Sequence, residues 1–170
     1  MIKKILLAVA LLLPMFGASA QSTLKIGLVD TSAILQIMPE TKEAQTKLAD
    51  ASKKYEDEYA KLGEEMKRMY DELNNMKPDE LQAIKERKTR EFQDYQVKVQ
   101  NFEQSAQQDL SRMQQELMAP IVQKIRDAVE SVGKENGYSM IQNYEQGLTL
   151  YYAAPVTDIT DQVKAKLGVK

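Results

Sequence analysis

Apolar side chains recur at alternating intervals of three and four residues along positions 40–76, which is the spacing of a helix that buries one narrow stripe. An extra four-residue step between Tyr55 and Tyr59 is a local stutter in this heptad pattern. The stripe consists of Ala44, Leu48, Ala51, Tyr55, Tyr59, Leu62, Met66, Met69, Leu73 and Met76. The pattern predicts a long coiled-coil helix, interrupted only by Gly63, which lies off the stripe.

A second stripe with similar spacing follows a predicted turn near residues 74–79, where Pro78 breaks the first helix. Lys88 occupies one position of this stripe and can bury its aliphatic stem. The apolar positions are Leu81, Ile84, Phe92, Tyr95, Val99, Phe102, Ala106, Leu110, Met113, Leu117, Ile121, Ile125, Ala128 and Val132. Two long helices joined by a short turn predict an antiparallel hairpin over residues 40–132. Pro120 predicts a kink or break near Met118 and Ala119.

The segments on either side of the hairpin have a different, strand-rich pattern. Residues 25–30, 138–141 and 148–152 are predicted strands, and the last two are joined by a turn around residues 145–147. Short helices are predicted from Ala33 to Met38, capped by Asp30, Thr31 or Ser32, and up to Leu167, capped by Asp158 or Thr160. We therefore expect a small β/α body from residues 21–39 and 133–170. So few strands bury little core, which favours self-association.

The first twenty residues have the three regions of a secretory signal peptide. Lys3 and Lys4 form a basic start, residues 5–16 are apolar except for Pro14, and Ala18-Ser19-Ala20 is a small-residue cleavage site. The apolar run is shorter than the roughly 20 residues that span a bilayer. We expect cleavage after Ala20 and a mature protein that works outside the cytoplasm.

Composition narrows the chemistry of the mature chain. Without Lys3 and Lys4 it carries 21 basic and 25 acidic residues, a formal charge of −4, which offers no general attraction to nucleic acid. The sequence contains no His, Cys or Trp, so imidazole and thiolate metal sites and Ser-His-Asp or Cys-His nucleophiles are excluded. The acidic residues are scattered along helices among lysines. We therefore predict no catalytic residues, no metal and no cofactor, and do not expect an enzyme.

The order of these parts resembles the Skp/OmpH family of periplasmic chaperones. The matching pieces are residues 26–30 before the hairpin, Pro120-Ile121 near its base, Gly137-Tyr138, Tyr151-Tyr152, and residues 158–160 before the last helix. The resemblance implies a homotrimer in which the β-strands share one body and three hairpins surround a cavity. Unfolded outer-membrane β-barrel proteins would be held there without ATP in the periplasm. The implied fold class is mostly α, with a long antiparallel coiled-coil hairpin projecting from a trimeric β-strand base.

The resemblance directs attention to two groups of residues. Those expected at the oligomer interface are Ile26, Leu28, Met140, Leu148, Leu150 and Tyr152. Tyr70, Tyr95 and Met38 are the candidates for contact with a client, whereas Met66 and Met69 fit the stripe between the helices better. Transient contact with a membrane surface is a further expectation. A basic cluster proposed for lipopolysaccharide in some relatives falls near residues 107–109, where the charge is missing.

A second interpretation stays open on the residues alone. A hairpin on a small β base could also be a structural spacer or the adaptor subunit of an envelope complex. Adaptors usually carry larger β modules than the strand-rich runs of this sequence provide, which favours the chaperone interpretation.

Overall fold

The computed structural model describes residues 24–145, 149 and 151–170. The described chain is mostly helical, with a small sheet and two long helices, as the sequence predicts. The elements in order are β1 (Ile26–Val29), α1 (Thr31–Ile37), α2 (Pro39–Asn74), α3 (Gln82–Asn136), β2 (Met140–Asn143), β3 (Val156–Asp158) and α4 (Thr160–Leu167). The predicted signal peptide, Leu148 and Leu150 lie outside the described residues. None of the described helices is long and apolar enough to span a membrane.

The chain passes from β1 into the helices through two local signals. Of the three candidate caps for α1, Asp30 performs the role, because its Oδ1 accepts a hydrogen bond of 2.8 Å from the backbone N–H of Ala33. Met38 then adopts the extended conformation that a residue before proline prefers. Pro39 begins α2, where its missing N–H costs no hydrogen bond. A short helix is thus followed directly by a long one.

The sheet has the order β2-β1-β3, with both outer strands parallel to β1. The predicted strand at residues 148–152 is wrong as far as it is described: Tyr151 and Tyr152 lie in no strand, and the third strand is Val156–Asp158. Proline cannot donate to a sheet ladder, so pairing starts at the residue after Pro155. The β-branched Val156 and Thr157 suit a strand, although none was predicted from the sequence at these positions.

α2 and α3 pack along the predicted stripes. Leu62, Val99 and Ala106 are buried, and most of the remaining stripe residues are half-buried. Four cross-helix pairs mark the contact: Glu40 with Lys124, Tyr55 with Phe102, Tyr70 with Phe92, and Glu72 with Lys88. Lys88 Nζ lies 2.7 Å from Glu72 Oε2, so the predicted polar stripe position serves as an ion pair between the helices.

The expectation of a break at Pro120 is wrong, because α3 continues through it to Asn136. The proline lacks one backbone hydrogen bond, but the turns after it are fixed by buried Ile121, Ile125, Ala128 and Val132. Gly133 lies inside α3 against Ile141 although glycine often ends a helix. The helix instead ends at Gly137, whose φ of 66° is the left-handed conformation that glycine adopts without strain.

The core lies where α1, α4 and the last third of α3 meet β1. Val29, Ile34, Met38, Ile159 and Val163 are its most deeply buried members. Ala44 and Ile121 belong to the same cluster, so the base of each long helix is part of this core. The rest of α2 and α3 extends away from it over about 50 Å, at 1.5 Å per helical residue.

Candidate binding surface

Some of the acidic side chains along the helices form local ion pairs, and the others are solvated. Glu65 accepts from Arg68, three residues later, and this hydrogen bond lowers the pKa of Glu65. Lys88 lowers the pKa of Glu72 in the same way, assisted by Arg68. Within residues 24–145, 149 and 151–170, no group of His, Cys, Asp and Glu is arranged to hold a metal ion. The carboxylates of the described helices lie on a solvated surface and are not gathered into a site, which leaves the exposed apolar side chains as candidate binding residues.

Tyr70 fits the role of an exposed anchor. More than half of its side chain, 53%, is exposed near the end of α2. Its ring lies against Phe92 of α3, with 6.0 Å between the ring centroids. This contact limits the conformations of the tyrosine while leaving one face accessible, so a bound chain would lose little of its affinity to ordering the side chain.

Tyr95 is less accessible than Tyr70. It is half-buried, and the ammonium group of Lys98 lies 5.1 Å from its ring centroid. Burial raises the pKa of the Tyr95 hydroxyl, and the charges of Glu65 and Glu58 raise it further. Tyr95 therefore offers a neutral hydroxyl and one ring edge, with part of its ring already occupied by a cation.

Met38 is not available for contact with another molecule in this structure. Its side chain has no exposed surface and packs in the core with Ile34 and Ile121. The residue lies between α1 and α2, where the extended conformation imposed by Pro39 turns its side chain inward. The burial argues against the expectation that Met38 binds a client, and we leave it out of the proposed surface.

Several apolar side chains on or next to the long helices are exposed. Tyr59, Met113 and Leu81, which lies just before α3, were predicted to pack within the stripes, and that prediction is wrong for these three. Val97, also exposed, was not singled out from the sequence. Tyr59 lies at the stutter, where the stripe rotates away from α3, and this irregularity was the signal that could have identified it. Val97 lies off the stripe, and an isolated apolar residue among polar neighbours carries no helical periodicity. Together with Tyr70 they place apolar surface at intervals along both helices.

The residues expected at an oligomer interface differ in their exposure, depending on their place in the sheet. Leu28 is buried inside the chain as part of the central strand, and Ile26 is half-buried. Met140 and Tyr152 are exposed, Met140 by 51%. Tyr151, which was not among the candidates, is also highly exposed. The body thus presents apolar side chains to solvent beside a sheet whose outer strands, β2 and β3, each have one neighbour within the described chain.

Next to these strands lies an apolar groove of about 420 Å³ between α1, α3 and β2. Its apolar lining comes from Val29, Leu35, Val122, Ile125, Val129 and Ile141. Val122 is 45% exposed although it lies on the part of α3 that enters the body. The groove and this valine together form an apolar depression on the surface of the body.

Hydrogen bonds join the C-terminal part of the body to the end of β1. The hydroxyl of Tyr144 donates to Asp158, which raises the pKa of Tyr144 to about 12. The Thr160 N–H also donates to Asp158, at 2.9 Å, and Thr160 Oγ1 accepts from the N–H of Asp30 at 2.9 Å. Burial would raise the pKa of Asp158, but the bonds from Thr160 and Tyr144 outweigh it and lower that pKa.

Comparison with known proteins identifies relatives for nearly the whole described chain. The family model described as outer membrane protein (OmpH-like) matches residues 25–167. Chaperone protein Skp of Yersinia enterocolitica is 28% identical over 165 residues, which cover 95% of this chain and 96% of that protein. The match includes both long helices, all three strands and the terminal helix.

Proposed function

This chain belongs to the OmpH-like outer membrane protein family, known also as Skp/OmpH, and on that premise we propose that it is an ATP-independent holdase chaperone of the periplasm. Its clients would be unfolded outer-membrane β-barrel proteins, which it keeps from aggregating. The similarity to a relative named as a chaperone supports this assignment. The signal-peptide pattern ending at Ala20 supports export, with cleavage after that residue.

The proposed architecture is a homotrimer with three antiparallel hairpins. The contacts between the helices support the antiparallel arrangement, because residue numbers on α3 decrease as those on α2 increase. The pairs are Glu40 with Lys124, Tyr55 with Phe102, and Tyr70 with Phe92. Exposed Met140 and Tyr152, together with the apolar groove of the body, support association through the body. Three helix pairs attached to one body would surround a space open to an unfolded chain.

The observation that carries the proposal is the distribution of exposed apolar side chains along the two long helices. Tyr59, Tyr70, Val97 and Met113 are spread among charged and polar neighbours, some of which form ion pairs such as Arg68 with Glu65 and Glu72. Scattered apolar contacts are individually weak, and they hold many different sequences without requiring one shape. A holdase needs this property, whereas a spacer needs only the stiffness of the helices.

The test is suppression of aggregation by the purified mature protein. A urea-denatured outer-membrane β-barrel protein is diluted into low and high sodium chloride without nucleotide, and light scattering is recorded. We expect suppression to persist at 1 M salt, where the Debye length falls to ~3 Å and surface charges are screened, because apolar contact survives. Replacing Tyr70 and Tyr95 with Ser should weaken it.

The outcomes separate the alternatives. A spacer or adaptor subunit would leave aggregation unchanged at either salt concentration, which would refute the proposed function. Suppression at low salt only would preserve the holdase and refute the apolar mechanism. The Tyr variants are compared at equal oligomeric mass, so that a loss of assembly is not mistaken for a loss of contact.

A further inference from the structure

The two long helices differ sharply in charge. Residues 42–72 of α2 carry 16 charged side chains, whereas the segment of equal length on α3, residues 92–122, carries six. Glutamine and asparagine take the place of charge on α3. A long, solvated helix would be equally soluble with lysine and glutamate at these positions, so the difference requires another explanation.

The uncharged side chains of α3 form one continuous stripe, which we call the amide stripe. Its members recur at steps of four and three: Val97, Asn101, Gln104, Gln108, Ser111 and Gln115, all exposed. Three members of the amide stripe each precede, by two positions, a residue of the stripe that faces α2: Val97 precedes Val99, Gln104 precedes Ala106, and Ser111 precedes Met113. Two positions along a helix correspond to a rotation of about 200°, which is close to the opposite side. The amide stripe therefore faces away from α2. Exposed Val122 continues the same series beyond half-buried Met118.

The middle of the amide stripe borders a shallow cleft of about 450 Å³. Its lining is Gln104, Gln107, Gln108, Ser111, Arg112 and Gln115. The guanidinium of Arg112 is held by Asp109 at 2.7 Å, so the charge at the edge of the cleft is already paired. Among the hydrogen bonds of the described residues, none engages the side-chain amides of these four glutamines, whereas Gln82 and Gln123 donate to carboxylates on their own helix.

We propose that the amide stripe binds the unpaired backbone of an extended client segment, and this inference rests on the proposed holdase function. A primary amide both donates and accepts, as a peptide group does, so it pairs with backbone N–H or C=O whatever the client's side chains are. An unfolded β-barrel segment is rich in such groups, because its strand partners are absent. Seven helix residues rise about 10.5 Å, close to the about 10 Å spanned by three extended residues.

The chemistry favours this occupant over a second copy of the helix. Asn and Gln at the contact positions of a coiled coil weaken helix pairing, so the amide stripe is poorly suited to pack against a helix of another copy. Val97 at its outer end adds apolar contact that removes water from that edge of the site. The amide stripe therefore complements the scattered aromatic side chains: they hold apolar side chains of the client, and it holds the client's backbone.

The test replaces Gln104 and Gln108 together with Met, which keeps length, neutrality and helix propensity but removes the amides. The matched control replaces Gln96 and Gln114 with Met. These two glutamines are exposed, lie 18 residues or five turns apart on one face, and are about 100° from the amide stripe. The probe is a urea-unfolded, tryptophan-containing outer-membrane β-barrel protein. Its fluorescence reports binding without background, because this chain contains no Trp.

We expect the Gln104→Met/Gln108→Met protein to bind the probe about tenfold more weakly, since two hydrogen bonds of ordinary net strength correspond to roughly one decade in Kd. The control variant should stay within about twofold of the original protein. Equal or tighter binding by the stripe variant would overturn the inference, because apolar contact alone gains from methionine. If the original protein binds no probe at all, the holdase function itself fails. A change in oligomeric mass in the stripe variant only would instead identify the amide stripe as a contact between copies.

A second measurement uses a short, uncharged strand peptide and its backbone N-methylated counterpart, which has the same side chains and lacks amide donors. Competition of each peptide with the probe is followed by the same fluorescence. The inference requires the N-methylated peptide to compete at least several-fold less well with the original protein, and this preference to shrink in the stripe variant. Equal competition by both peptides would show that the backbone is not recognised.

Discussion

At the scale of single residues, Asp158 organises the C-terminal part of the body. Its carboxylate accepts hydrogen bonds from the Tyr144 hydroxyl and from the Thr160 N–H. The side-chain oxygen of Thr160 in turn accepts a hydrogen bond from the N–H of Asp30. One carboxylate thus connects the residue after β2, the end of β3 and the start of α4. The sequence suggested Asp158 or Thr160 as the cap of α4, but Ile159 occupies the cap position, and Asp158 accepts the N–H of the first helical residue from one position earlier. The contact of Asp158 with Tyr144 depends on the sheet and was not predictable.

We expect Asp158→Asn to lower the free energy of unfolding by about 1 kcal/mol at pH 7, a modest value because solvent screens the partly exposed carboxylate. The pKa of Asp158 is lowered on folding, so its contribution exists above the unfolded-state pKa of about 4 and disappears as pH falls through the folded-state value. Urea unfolding of the two proteins at pH 7 and at pH 3 measures the difference in the free energy of unfolding and its dependence on pH. Asp161→Asn, at a highly exposed carboxylate on α4, is the control. A difference that is as large at pH 3 as at pH 7 would contradict this account, because pH 3 lies below the unfolded-state pKa.

At the scale of elements, the long helices were the most predictable part. Their stripes follow a rule local to the sequence, and Leu62, Val99 and Ala106 are buried where that rule places them. The third strand was missed because pairing with β1, rather than local composition, selects residues 156–158 over the more aromatic run before them. The burial of Met38 was missed for a similar reason: only the assembled core shows which way it faces.

Gly63 gives a prediction for α2. A Cβ added at this position meets no atom within 4 Å, and glycine inside a helix costs up to about 1 kcal/mol relative to alanine. Gly63→Ala should therefore raise the free energy of unfolding by about 0.5–1 kcal/mol, measured by urea or thermal denaturation. The matched control is Gly137→Ala, which should lower it by about 1 kcal/mol because φ there is 66°. Destabilisation by Gly63→Ala would show that another surface approaches the helix at this point.

At the scale of the whole molecule, the exposed apolar side chains of the body correspond to the proposed assembly. Met140 and Tyr152 remain accessible in the single chain, and Val122 lies beside the groove between α1, α3 and β2. The presence of a small β body could be predicted from the strand-rich runs on either side of the hairpin, and its self-association remains a prediction. Which residues it exposes could not be predicted, because that depends on β1 taking the central position of the sheet.

The corresponding prediction concerns molecular mass. Light scattering coupled to gel filtration should give three times the mass of the mature chain. Met140→Lys combined with Tyr152→Lys should give monomers at micromolar concentration, because a buried unpaired charge is costly at an apolar interface. Val97→Lys, at an equally exposed apolar residue on α3, should leave the trimer intact. A trimer that survives the double substitution would place the interface elsewhere, and a monomeric original protein would refute the assembly.

The central position of β1 also determines the order in which the molecule can fold. Ile26 pairs with Met140 and Val156, which follow it by 114 and 130 positions, so the sheet has a very high contact order. α2 and α3 meet through contacts that are much nearer in sequence, and their pairing brings Glu40 beside Lys124. This shortens the loop that β1 must close, and with it the entropic cost of closure. In a chain synthesised from its N-terminus, β1 therefore stays unpaired until residues 140–143 are available, and the sheet forms after the long helices can pair.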